Sequence, residues 1–131
     1  MEFSINTSDH QEFISITDQV AQAVQRSGVE NGIAHIFVKH TTCGVTVNEN
    51  ADPDVAHDLM NRLDRLAPWN LPEDRHLEGN SAAHLKSSLV GPSVTIPFRE
   101  RELVLGTWQG VYFCEFDGPR TRTFVLTILP G

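Results

Sequence analysis

Apolar and polar residues alternate along Glu2–Thr7 and again along Glu12–Ile16, with Ser8, Asp9 and His10 between them. This pattern predicts two short strands joined by a polar turn. The period then changes. Val20 and Val24 sit four residues apart behind Thr17, a residue suited to capping a helix, and Gly28 can end that helix. Gly32–Lys39 has apolar residues on both alternating sets, Ile33 and Phe37 against Ala34, Ile36 and Val38, which predicts a strand buried on both faces. Gly44–Glu49 alternates again as a strand. Asp52-Pro53 supplies a cap and a first-turn proline, and Val55, Leu59, Leu63 and Leu66 keep helical spacing up to Pro68.

Trp69–Gly79 shows no period and reads as a long loop, which in a small domain is more often functional than idle. Asn80 or Ser81 then starts a short helix with Leu85 and Leu89 as its buried face, stopped by Gly91-Pro92. The remainder reads as four strands: Val94–Arg99, Glu102–Trp108, Val111–Phe116 and Thr121–Leu129. Glu100-Arg101 and Asp117-Gly118-Pro119 supply the turns. Mixed strands and helices followed by an antiparallel run predict a single α+β domain over residues 1–131 with two or three helices. The strands carry more apolar face than those helices can cover, so packing of sheet on sheet, or of subunit on subunit, is expected.

Composition narrows the function classes. The chain has 131 residues, a net charge of −7 and 40% apolar residues. That length suits one domain with a core, and the acidic balance excludes a duplex nucleic-acid binder. No apolar run is long enough to span a membrane, and the first residues lack the basic and apolar regions of a signal peptide. Two cysteines, Cys43 and Cys114, without an export signal, predict reduced thiols in a cytoplasm.

The polar residues carry whatever chemistry there is. His10 falls in a turn and His57 on a polar helix stripe, so both read as solvated; His35 lies mid-strand and reads as a core histidine bonded to a neighbour. His40, His76 and His84 remain. They either hold a metal together or each caps a backbone group or lies exposed, because their spacing matches no ligand motif. Asn48-Glu49-Asn50 precedes a helix start, whose free N–H groups attract anions. Cys43 beside Gly44 reads as a small, partly buried thiol rather than a nucleophile.

Four blocks in order make a more specific pattern: His40-Thr-Thr-Cys-Gly-Val-Thr-Val-Asn-Glu-Asn-Ala-Asp-Pro-Asp-Val55; Glu78-Gly-Asn-Ser-Ala-Ala-His84; Ser88-Leu-Val-Gly-Pro-Ser93; and Leu105-Gly-Thr-Trp-Gln-Gly-Val-Tyr-Phe-Cys-Glu-Phe-Asp-Gly-Pro-Arg120. Together they resemble the YjbQ-like family, whose members are described as secondary thiamine-phosphate synthase enzymes. The resemblance implies an α+β domain with a β-sandwich, a homotrimer, and one pocket that gathers polar residues from the four blocks. It implies Glu49, Glu115 and Asp117 as catalytic or cation-holding carboxylates and His40, His76 and His84 as ligands of a divalent metal, Zn²⁺ or Mg²⁺. Asn48, Asn80, Lys86, Gln109 and Arg120, with Arg122, are then the candidate contacts of a small phosphorylated or anionic ligand. The implied reaction joins hydroxymethylpyrimidine diphosphate to thiazole phosphate. A metal-dependent hydrolase and a non-catalytic trimeric metabolite-binding protein are the alternatives.

Overall fold

Gly28 takes φ 72°, the left-handed conformation that costs glycine nothing, and closes the first helix by returning its N–H to the Gln25 carbonyl. That helix, α1 (Thr17–Ser27), buries Val20, Ala23 and Val24. Thr17 is not its cap. The preceding position is Ile16, and the Thr17 hydroxyl instead accepts the Val111 N–H at 2.9 Å. The computed structural model describes residues 1–131. The other elements are β1 (Glu2–Asn6), β2 (Glu12–Ser15), β3 (Gly32–Val38), β4 (Cys43–Glu49), α2 (Pro53–Leu66), α3 (Ser81–Val90), β5 (Ser93–Arg99), β6 (Glu102–Leu103), β7 (Gln109–Glu115) and β8 (Thr121–Pro130).

Every strand pairing is antiparallel, in two sheets ordered β1-β8-β3-β5-β6 and β2-β7-β4. Their facing sides enclose the main core with α1, including Ile36, Val38, Val45, Phe98, Phe113 and Phe124. β7 is buried on both faces. Val111 and Phe113 enter that core, while Tyr112, Cys114 and Phe116 form a second cluster with Ala83 of α3 and, partly buried, Met60 and Leu63 of α2.

Four local expectations change. β3 is buried on one face only: Ala34, Ile36 and Val38 point inward, whereas Ile33 and Phe37 are exposed. On that outer face Ile33 faces Leu129 and Pro97, and Phe37 faces Val125, so an apolar patch crosses three strands. His35 lies on the same open face, bonded to the Thr95 hydroxyl at 2.9 Å, and is not a core residue.

The second change concerns α3, where Leu85 and Leu89 are exposed and Ala82, Ala83, Lys86 and Ser87 face inward. The helix ends hard against β4: a Cβ on Gly44 would stand 2.8 Å from the Gly91 carbonyl, and Ser87 Oγ donates to the Cys43 carbonyl at 2.7 Å. Only small side chains fit where α3 meets β4, which turns the leucines outward, while Lys86 is buried toward Gln11 and Asp64 instead. Third, Leu66 is exposed at the end of α2, and no residue of that helix is fully buried. Its start follows expectation, with Asp52 Oδ1 accepting the Asp54 N–H at 2.9 Å. Finally, the strand expected over Glu102–Trp108 stops at Leu103, because Gln109 folds back to accept the Gly106 N–H through Oε1 at 2.8 Å and forms a turn.

Candidate functional site

Alternation along β7 directs Glu115 inward on the face of Val111 and Phe113, and alternation along β8 does the same for Arg122 beside Phe124 and Leu126. The two meet between the sheets. Arg122 Nε donates to both carboxylate oxygens of Glu115, at 2.9 and 3.2 Å, and Nη2 bonds Glu115 and, at 2.7 Å, the Thr42 hydroxyl. Glu115 also accepts the Thr7 hydroxyl at 2.8 Å and the Asp117 N–H at 3.1 Å. Burial alone would raise the Glu115 carboxyl, but these donors outweigh it and hold the group below the ordinary range. The same partners raise Arg122 against the effect of its burial. Arg122 Nη1 has no partner in the chain and is not enclosed.

Above this pair opens a cavity of about 390 Å³ with no hydrophobic lining residue. Arg122 and Thr42 form its base. Its walls come from the β3–β4 connection (Lys39, His40, Thr41), the segment before α3 (His76, Glu78, Asn80), α3 itself (His84) and the β7–β8 turn (Arg120). Asp117 organises two of these. Its Oδ2 accepts Asn80 Nδ2 at 2.9 Å and Arg120 Nη2 at 2.8 Å, while Arg120 Nε bonds the Asp117 carbonyl. Asn80 Nδ2 also reaches Glu78 at 3.3 Å. In a chain of net charge −7, this cavity gathers two arginines, a lysine and three histidines around a single lining carboxylate, Glu78. Each of the three cations is paired with a carboxylate outside the lining: Arg120 with Asp117, Arg122 with Glu115 and Lys39 with Glu2. A larger hollow of about 560 Å³ along α2, lined by Asp58, Asn61, Arg62, Arg65 and Leu66, has no such convergence.

His40 has a defined role in this wall. The Thr123 N–H donates to its Nε2 at 2.9 Å, which puts the proton of the neutral ring on Nδ1. Burial, reinforced by Arg122, pushes the imidazole below its ordinary 6.5 and favours that neutral form. Such a ring is a hydrogen-bond donor with no lone pair free for a metal. His76 and His84 pack edge to face with ring centres 5.4 Å apart. No three His, Cys, Asp or Glu side chains of the chain lie close enough to share an ion. The three-histidine metal centre therefore does not form within one chain. His76 and His84 are the one histidine pair at the cavity, and a cation held there would need its other ligands from elsewhere.

The fold thus collects His40, His76, Asn80, His84, Arg120 and Arg122 at one cavity, with Glu115 and Asp117 directly beneath or beside it. It does not collect Asn48, Glu49 and Gln109. Glu49 pairs with Gln109 at the opposite end of β4 from the Cys43–Glu115 pair. Six strand steps separate the two ends, about 20 Å at ~3.3 Å per residue. Lys86 is also elsewhere: it is 1% exposed and bonded to Asp64 and Gln11, which ties α3 to α2 and to the turn before β2. Cys43 is fully buried, and burial pushes its thiol up to about 12, which removes it as a nucleophile. Sequence reasoning passed over Thr42 and Thr7, whose hydroxyls brace the ion pair from distant segments. His10 is exposed, as expected, and adds a contact the sequence did not show: its Nε2 lies 3.6 Å from Asp117 and its ring packs against Trp69.

The family model described as UPF0047 protein YjbQ-like matches residues 1–131. The chain belongs to the UPF0047 (YjbQ-like) family. The UPF0047 protein YugU of Bacillus subtilis is 51% identical over 125 residues, covering 95% of each chain. The UPF0047 protein of Methanocaldococcus jannaschii is 51% identical over 129 residues, 97% of this chain and 91% of that one. Among solved structures, an uncharacterized conserved YjbQ/UPF0047 protein of Clostridium acetobutylicum superposes with a TM-score of 0.95 at 50% identity, over 98% of this chain and 99% of that one. A hypothetical protein of Aeropyrum pernix gives 0.93 at 34% identity, over 100% and 98%. The α+β fold with two antiparallel sheets and three helices is thus the fold of UPF0047 proteins. No helix of the chain is long and apolar enough to cross a membrane.

Proposed function

We propose that this UPF0047 protein is a small-molecule enzyme that takes a phosphate- or diphosphate-bearing substrate into the Arg120/Arg122 cavity. The observation that carries the reading is the cavity's lining, cationic and without an apolar residue, in an otherwise acidic chain. Arg122 Nη1 and the half-exposed Arg120 meet the phosphate oxygens, and His40 adds a neutral Nδ1–H donor. Glu115 and Asp117 are not proton carriers in this scheme: they hold the two guanidinium groups in register, as preorganised charge stabilisation requires. The reaction to test first is the one the family resemblance names, in which hydroxymethylpyrimidine diphosphate is attacked by the thiazole nitrogen, a C–N bond forms and diphosphate leaves. Fixed cations beside the departing diphosphate are what this chemistry needs.

The assay is release of diphosphate and formation of thiamine phosphate by purified protein given both substrates. Turnover that falls at least tenfold in Arg120→Ala supports the proposal, taking a charged hydrogen bond as about 1.5–3 kcal/mol. Saturable binding of the substrates without turnover moves the protein to the non-catalytic metabolite-binding alternative. The hydrolase alternative needs a metal centre that one chain does not supply.

The same reading makes the outer face of the five-stranded sheet a contact between copies in a homotrimer, since Ile33, Phe37 and Leu129 leave 37%, 43% and 50% of their surface exposed there. Light scattering on the eluting peak should give three chain masses, and a monomer mass at micromolar protein rejects the trimer.

A further inference from the structure

Asn80 is 5% exposed, and its side chain does not cap the helix it precedes. Both its amide hydrogens are committed to carboxylates, Asp117 at 2.9 Å and Glu78 at 3.3 Å. This fixes the amide's orientation, because the flipped form would set its oxygen against two anions. Oδ1 then has no donor, and it is the single buried side-chain nitrogen or oxygen of the protein without a partner. Native proteins rarely leave such an atom unmet, and an exception calls for an explanation such as a water, an ion or a bound group. Asn80 lines the cationic cavity together with Glu78. Cations alone would suit a fully ionised phosphate, which offers no donor to an unpaired carbonyl oxygen.

Resting on the phosphate binding proposed above but not on the thiamine-phosphate reaction, whose two substrates have no free hydroxyl, the geometry points to a narrower ligand class: an organic phosphate that carries a hydroxyl near its phosphate group, with Asn80 Oδ1 accepting from that hydroxyl. The arginines take the phosphate, and Asn80 selects among phosphates. Oδ1 is enclosed in the ligand-free chain, so the hydroxyl arrives with a side-chain rearrangement of the wall. His76 and Glu78 belong to an exposed segment without regular structure that can provide it, in which Leu77 is wholly solvent-exposed. Asp117 and Arg120 keep the amide pointed while the wall moves.

The test is calorimetric titration of the intact protein, in EDTA, with glycerol 3-phosphate, propyl phosphate and inorganic phosphate. Glycerol 3-phosphate and propyl phosphate share a charge and differ in hydroxyls. Glycerol 3-phosphate should bind about tenfold tighter than propyl phosphate, the ratio expected when an otherwise unmet buried acceptor is satisfied. In Asn80→Ala the two affinities should converge. If Asn80→Ala does not fold, the wild-type ratio decides alone. Equal wild-type affinities overturn the inference and leave the phosphate reading standing, with water meeting Oδ1. Discrimination that survives in a folded Asn80→Ala overturns the role of Asn80. If none of the three phosphates binds, the inference and the phosphate reading fall together.

Discussion

Replacing Glu115 by alanine should be among the most destabilising single changes in this protein. The carboxylate is fully buried and satisfies three partners: the Arg122 guanidinium, the Thr7 hydroxyl and the Asp117 N–H. Its loss strands Arg122, 4% exposed, with Thr42 alone. Breaking one side of a buried ion pair costs about 3–5 kcal/mol, because the remaining charge stays out of water. A domain of this size has about 5–15 kcal/mol in total, so the variant should lose a large part of its stability. Urea denaturation at pH 7 measures the difference. Glu30→Ala, which breaks the exposed Arg101 pair, is the control and should move the midpoint hardly at all. The acid limb gives a second reading. Glu115 is held below its ordinary 4.5, so its contribution is present above that pH and disappears as pH falls through the lower folded-state value. Wild type and Glu115→Gln should therefore converge in stability on acidification. A loss below about 1 kcal/mol in Glu115→Ala at pH 7 would refute the reasoning, since that is the range of an exposed pair.

Lys86→Met keeps the length of the side chain but removes the partner of Asp64 and Gln11. It should lower stability by roughly 1–3 kcal/mol while leaving phosphate binding within twofold of wild type, as Lys86 lies outside the cavity. Calorimetric melting and titration test the two halves separately. Cys43 and Cys114 should both resist an aromatic disulfide reagent at pH 8 in the folded protein and react fully in denaturant, because both are buried with thiols pushed up by burial. Rapid labelling of either thiol in the native protein would contradict this.

The element sequence was legible because the chain punctuates itself: Gly28 after Val24, Asp52-Pro53 before Val55, and Glu100-Arg101 between two β-runs all end or start elements where expected. Burial was less legible. Ile33 and Phe37 look like core from their neighbours in sequence, but whether a second face is covered depends on how many layers the fold stacks on it. Leu85 and Leu89 mislead for a different reason. The backbone approach at Gly44 and Gly91 leaves room only for small side chains such as Ser87 where α3 meets β4, and no local pattern announces an approach made by residues over forty positions apart. The site divides along the same line. Residues at the ends of elements, His40, Asn80 and Arg120, converge as their blocks suggest. Asn48, Glu49 and Gln109 sit in those blocks yet lie at the far end of the same strands, because strand direction sends one end of each block away from the cavity. Glu115 was legible as important but not as buried, since its partner Arg122 belongs to the opposite sheet.

The central claim is that this cavity binds phosphate through its arginines, and titration of inorganic diphosphate into wild type and Arg120→Ala measures it directly. Arg120 is half exposed, so its replacement leaves the fold and the Glu115–Arg122 pair in place. Saturable binding to wild type, weakened about tenfold or more in the variant and weakened again by salt, is the predicted result. No saturable binding to wild type, or equal affinity for both proteins, would contradict the account.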